Sequence, residues 1–225
     1  MRIITHANCP DGFTSAYVFK KFWQFFVPNS TQDVIDNAEI LPVLPKEIQT
    51  DFIATKNDVV LDLPRPQGRL LFWCDHHATN KQEKDREEDN WEVKPSNAGF
   101  LLEIAEKNGL KLSDALKEFK RACDIMDDAQ YTVQDIKQLY YPQKSYEKPS
   151  ALMKLQIISS MFGTRDANLN YEIFSTLLKN DLHETPLDDP DLWKLNPMMF
   201  YRSSLKSLQE WRNNLDTYVT YDEET

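Results

Sequence analysis

In Arg69-Leu-Leu-Phe-Trp-Cys-Asp75-His76-His77 the unbroken apolar run Leu70 to Cys74 ends in three ionisable side chains. An apolar run without polar alternation reads as a strand covered on both faces, not one facing water on one side. Asp58-Val-Val-Leu-Asp62-Leu63 has the same form and is closed by Pro64-Arg-Pro66. Upstream, Arg2 to Thr5 reads as a β-branched strand, His6-Ala-Asn-Cys-Pro-Asp-Gly12 as a loop, and Phe13 to Phe26 as a helix. Glu39 to Leu44 reads as a second short strand and Pro45 to Gln49 as a short helix or turn. Strands alternating with helices predict an α/β fold: an N-terminal domain built on a parallel sheet with helices on both faces. Ligands of such sheets bind beyond the carboxyl ends of the strands, where His6, Asp62 and Asp75 to His77 fall.

Beyond the sheet the character changes. Lys81 to Asn90 has no apolar residue and reads as an exposed charged loop. Asn97 to Asn108, Ser113 to Asp128, Ser150 to Phe162, Leu169 to Leu182 and Pro190 to Leu215 have helical spacing. Asn97, Ser113 and Asp135 mark helix starts and Gly109 a C-cap. The expected division is a domain over 1–130 and a helical region over 131–225, the latter a linker with a truncated or divergent accessory domain. Trp193, Phe200, Tyr201 and Trp211 read as apolar anchors of those helices, and Tyr218 to Thr225 as the start of a strand without a successor.

Of the 225 residues 41% are hydrophobic, enough for a core without covalent staples. Cys9, Cys74 and Cys123 are odd in number and widely spaced, which argues against a disulfide framework. With no leader-like N-terminus and no apolar run of the ~18 residues a membrane span needs, a cytoplasmic protein without membrane association is expected. The net charge of −10 opposes long DNA as a partner, since non-specific binding needs Lys and Arg on the phosphates. Small phosphorylated substrates remain compatible, because a bound cation can supply positive charge locally.

Four constellations carry the chemistry. His6 and Asp11 flank a turn at a strand end, a nitrogen and oxygen mixture that suits a divalent cation; the plainer reading makes Asp11 a helix cap. Asp62 ends an apolar strand, where a carboxylate needs a partner or a metal. In Cys74-Asp75-His76-His77, one imidazole can bind metal while the next contacts substrate and Asp75 orients a ring. In Asp124-Ile-Met-Asp127-Asp128, Asp124 shares a helix face with Asp127 or Asp128, the plainer reading being a solvated acidic helix end.

The order H-x-N-C-P-D-G-F, a strand ending in Asp, D-H-H and then an acidic motif resembles the DHH phosphoesterase superfamily, in its nuclease and phosphodiesterase-like branch, over roughly residues 1–130. The resemblance implies a metal-dependent enzyme hydrolysing a phosphodiester or phosphoanhydride of a small substrate: a short oligonucleotide, a cyclic dinucleotide or a polyphosphate. It implies His6 and Asp11 on one metal, Asp62 bridging two, and His76 with an acid of the last motif, Asp127 foremost, on the second. His77 would contact the scissile phosphate, Asp75 would support the histidines, and a metal-activated hydroxide would attack phosphorus. The resemblance implies manganese as the ion, as a pair, with magnesium as a substitute; a homo-oligomer is compatible.

This chain departs from the family pattern at Asn8, where many members carry a second carboxylate. It also has only five glycines, where the nuclease branch has a glycine-rich accessory motif. These departures motivate an alternative: a catalytically reduced relative that binds a nucleotide or a protein partner. A structural zinc site from Cys9, Cys74, His6 and His76 is a third reading.

Overall fold

The computed structural model describes residues 1–50, 52–80, 89–140, 149–162, 172–174 and 182–206. In chain order β1 (Arg2–His6) leads into α1 (Pro10–Lys21), followed by α2 (Gln32–Asp36), β2 (Glu39–Val43) and α3 (Pro45–Thr50). Next come β3 (Ile53–Ala54), β4 (Asp58–Leu61), β5 (Gln67–Gly68), β6 (Phe72–Asp75) and β7 (Asp89–Trp91). Helices α4 (Asn97–Lys107), α5 (Asp114–Asp127), α6 (Val133–Tyr140) and α7 (Ala151–Ser159) follow. Five strands form an all-parallel sheet in the order β2-β1-β4-β6-β7, with β3 and β5 a separate two-stranded ribbon.

Both faces of the sheet are buried, which explains why its strands read as continuous apolar runs. Ile3, Val59, Leu61, Phe72 and Cys74 face a large core built with α1, α4, α5 and α7. Their neighbours Ile4, Val60 and Trp73 face a smaller core closed by Ile48 of α3 and Ala54 of the ribbon. The expected α/β architecture is therefore present, with unequal cover on the two faces. Pro42 lies in β2, an edge strand of the sheet, where a missing donor is tolerated.

Several boundaries differ from the sequence reading. The first helix begins at Pro10 and stops at Lys21, and Trp23–Phe25 form a separate 3-10 turn. Asp89 and Asn90 belong to β7 rather than an exposed loop, because the buried Asp89 carboxylate accepts from Arg65 Nε at 2.9 Å; residues 81–88 of that stretch lie outside the described residues. Ser96, not Asn97, caps α4 by accepting from Gly99 N. Thr132, not Asp135, opens α6, where Asp135 N donates to Thr132 Oγ1 and Thr132 N donates to Asp135 Oδ2, a reciprocal cap. The long helix expected from Pro190 breaks after Lys194, because Asn196 takes a left-handed conformation before Pro197. Trp193, Phe200 and Tyr201 pack into the core as expected, whereas Trp211, Tyr218 to Thr225 and most of Leu169 to Leu182 lie outside the described residues.

The helices after residue 131 join the same large core. Phe13 of α1 packs its ring 5.4 Å from that of Phe162 and 6.2 Å from that of Phe174. Among the described residues no helix is long and apolar enough to cross a membrane.

Candidate metal centre

Thr5, Leu61 and Cys74 are in register across β1, β4 and β6, so His6, Asp62 and Asp75, the next residues of each chain segment, emerge at one sheet edge. The chain leaves β1 for β2 on one side and returns to β4 on the other, which opens a crevice at that edge. Asp62 adopts a left-handed φ of 56°, a conformation Asp tolerates better than most residues. Its carboxylate is 1% exposed, and neither oxygen has a hydrogen-bond partner.

Imidazoles surround it. His76 Nδ1 lies 2.8 Å from Lys94 O; a carbonyl only accepts, so Nδ1 carries the proton. Nε2 then presents its lone pair 3.3 Å from Asp62 Oδ1, 3.3 Å from Asp127 Oδ2 and 3.6 Å from Asp11 Oδ2. A lone pair facing three carboxylates is repulsive unless a proton or a cation lies between them. Burial pulls the His76 pKa down, but contact with Asp62 and the negative charge of Asp11 outweigh it and push it up to about 10. His6 Nδ1 is 3.4 Å from Asp62 Oδ2.

Asp11 lies in the first turn of α1, and its two oxygens accept from Asn97 N at 2.7 Å and Ala98 N at 3.0 Å, the leading N–H groups of α4. Two helix N-termini therefore converge on one carboxylate. Two glycines permit this approach. A Cβ on Gly12 would stand 2.2 Å from His6 O, and one on Gly99 would stand 2.2 Å from Asp124 Oδ1 and 2.8 Å from Ser96 Oγ. Burial raises the Asp11 pKa well above the usual carboxylate range, and the charges of Asp62 and Asp127 add to the effect.

Asp124, Asp127 and Asp128 take separate roles. Asp124 accepts from Ser96 Oγ and Lys120 Nζ, both at 2.7 Å, and braces the start of α4. Asp128 is exposed and bonds Gln130. Asp127, at the last turn of α5, is the one that faces His76. Burial raises its pKa and the Asp62 charge adds to it, whereas at Asp62 burial is overcome by attraction to His6 and His76 and the pKa falls.

His77 Nδ1 lies 2.8 Å from Asp75 Oδ1, a contact that raises the His77 pKa, and Trp91 Nε1 donates to His77 O at 3.0 Å. His77 is the more exposed of the two histidines, its side chain 39% accessible against 7% for His76. Its contact with Asp62 is 3.8 Å.

Among the described residues, ligating atoms within 4.8 Å of one another occur in three overlapping groups, His6–Cys9–Asp62, Asp62–His76–His77 and Asp11–His76–Asp127, and these groups could hold a metal ion. Asp11 thus stands with His76 and Asp127 rather than with His6. The zinc arrangement with Cys74 does not form, because Cys74 sits within β6 and turns into the apolar core. Lys94, Ser96, Asn97 and Lys120 support the centre and went unrecognised in the sequence. Lys94 and Asn97 act largely through backbone groups, which leave no side-chain signature.

Comparison with protein-family models, curated proteins and solved structures found no match.

Proposed function

We propose that the chain is a metal-dependent phosphoesterase of the DHH type, hydrolysing a phosphodiester or phosphoanhydride of a small substrate such as a short oligonucleotide, a cyclic dinucleotide or a polyphosphate. The observation that carries this reading is Asp62: a fully buried carboxylate with both oxygens unbonded, set between the imidazoles of His6 and His76. Buried charge without hydrogen bonds is costly unless a cation compensates it. His6, Asp11, Asp62, His76 and Asp127 would hold the metal. Manganese, with magnesium as a substitute, would supply Lewis-acid activation of water and neutralisation of phosphate charge there.

The protein's own groups do the rest. The Lys94 carbonyl fixes the tautomer that leaves His76 Nε2 free to ligate. Asp75 holds a proton on His77 Nδ1 and favours the imidazolium, so that Nε2–H can stabilise charge developing on a phosphoryl oxygen. The surplus of acidic residues favours small substrates over long polyanions. Three free cysteines fit a reducing cytoplasm.

The test is manganese-dependent hydrolysis of a generic aryl phosphodiester by the protein and its Asp62→Ala variant. Turnover by the parent alone supports the reading. Equal turnover by both removes it, and metal binding without turnover on a broad phosphoester panel favours the binding-protein alternative.

A further inference from the structure

One of the three ligating groups contains sulfur. His6, Cys9 and Asp62 bring an imidazole nitrogen, a thiol and a carboxylate oxygen within 4.8 Å of one another. The backbone arranges this: Asn8 takes a left-handed φ of 56° and turns the chain back after β1, so Cys9 becomes the N-cap residue of α1 directly before Pro10. The cap position does not explain the residue. Caps are favoured as Ser, Thr, Asp or Asn because their oxygens accept well from the first turn, whereas the Cys9 sulfur is a weak acceptor for the Gly12 amide above it.

A second observation points to a ligand at the same place. Asp62 is 1% exposed with neither oxygen bonded, and His6 Nδ1 is likewise buried without a hydrogen bond, 3.4 Å from Asp62 Oδ2. Among the described residues neither Cys74 nor Cys123 joins a ligating group. The Asp11–His76–Asp127 group contains only nitrogen and oxygen donors. The centre therefore has two halves of unequal softness.

We propose that Cys9 is a ligand of the ion held by His6 and Asp62, so that this half selects a thiophilic divalent ion such as zinc, cobalt or ferrous iron, while the other half takes a harder ion such as manganese or magnesium. On binding, a sulfur–metal bond forms, the thiol proton passes to solvent, and no oxidation state changes. The inference rests on the reading of the cluster as a metal centre given above, and it changes that reading by making the two ions different.

The test uses the full chain stripped of metal and titrated with cobalt(II), followed by optical absorption. The expected result is a sulfur-to-cobalt charge-transfer band in the near ultraviolet that Cys9→Ser abolishes and Asp127→Asn retains. Cobalt binding with no such band, or a band unchanged in Cys9→Ser, overturns the role of Cys9 and leaves the metal centre standing. No cobalt binding at all sinks both. A readout without substitution is X-ray absorption of the zinc-loaded parent, where a sulfur neighbour at about 2.3 Å is expected and a shell of nitrogen and oxygen alone overturns the proposal.

Discussion

At the C-terminal end of α5, Asp127 opposes both the helix dipole and the negative charge of Asp62. A residue so placed is destabilising in the metal-free chain unless its charge is compensated. Asp127→Asn is therefore expected to leave metal-free stability within about 0.5 kcal/mol of the parent, or to raise it. The same change should reduce the gain on adding manganese, which for an intact site reaches about 2.7 kcal/mol at a hundredfold excess over Kd. Thermal melts with and without manganese check both halves; a large metal-free loss with an undiminished metal gain would make Asp127 a structural residue. At this scale the sequence was informative where the side chain itself does the chemistry. Asp62 and His76 declared themselves by standing at the ends of apolar strands. The choice among Asp124, Asp127 and Asp128 was not legible, because three- and four-residue spacing places Asp124 on one face with either neighbour. What decides it is the claim of Ser96 and Lys120 on Asp124, a contact across 28 residues in the case of Ser96.

Among the elements, α4 is the one whose position sets the centre. Its N-terminal amides bind Asp11, its cap residue Ser96 binds Asp124, and Glu103 on its outer side pairs with Lys94 at 2.9 Å and Lys120 at 3.1 Å. Gly99→Ala would place a methyl group against Asp124 Oδ1 and Ser96 Oγ. The expected cost is about 1–3 kcal/mol in urea denaturation together with weaker metal binding, because displacement of α4 withdraws its amides from Asp11. At the opposite edge of the sheet, Asp58 accepts from Arg2 Nε at 2.8 Å and from Thr55 N at 2.8 Å. Burial raises the Asp58 pKa, but the bonds from Arg2 and Thr55 outweigh it and the net shift is downward. A depressed folded pKa gives stability that is present above the unfolded value of about 4 and is lost as pH falls through the folded one. Asp58→Asn should then cost about 1–3 kcal/mol near neutrality and progressively less below pH of about 4. A pH-independent difference between the two proteins would contradict this assignment. Element type was readable where an apolar run was long enough to declare itself. Strand β7 was not, since Asp-Asn-Trp has no strand pattern and exists through its pairing with β6 and the Arg65–Asp89 bond.

Over the whole molecule, the sheet and the later helices share one apolar core. Phe13, Phe162 and Phe174 pack ring against ring, and Tyr17 Oη donates to His183 O at 3.1 Å. Phe162→Ala should destabilise by about 3–5 kcal/mol and should lower a single transition seen by both near- and far-ultraviolet circular dichroism. Two separated transitions would instead identify the helical part as an independently folding unit. Sequence periodicity found the helices but could not reveal this shared core, because a helical face does not state which partner covers it.

Asp127 also bears on synthesis. The other ligating residues of the candidate centre lie within the first 77 residues, and this one follows fifty positions later. During translation His6, Asp62 and His76 are made before α5, but the sheet that aligns them shares its core with α5 and α7. The donor set is therefore completed only in the step that packs those helices. Metal retention would thus report that the molecule has been synthesised and folded at least as far as that helix.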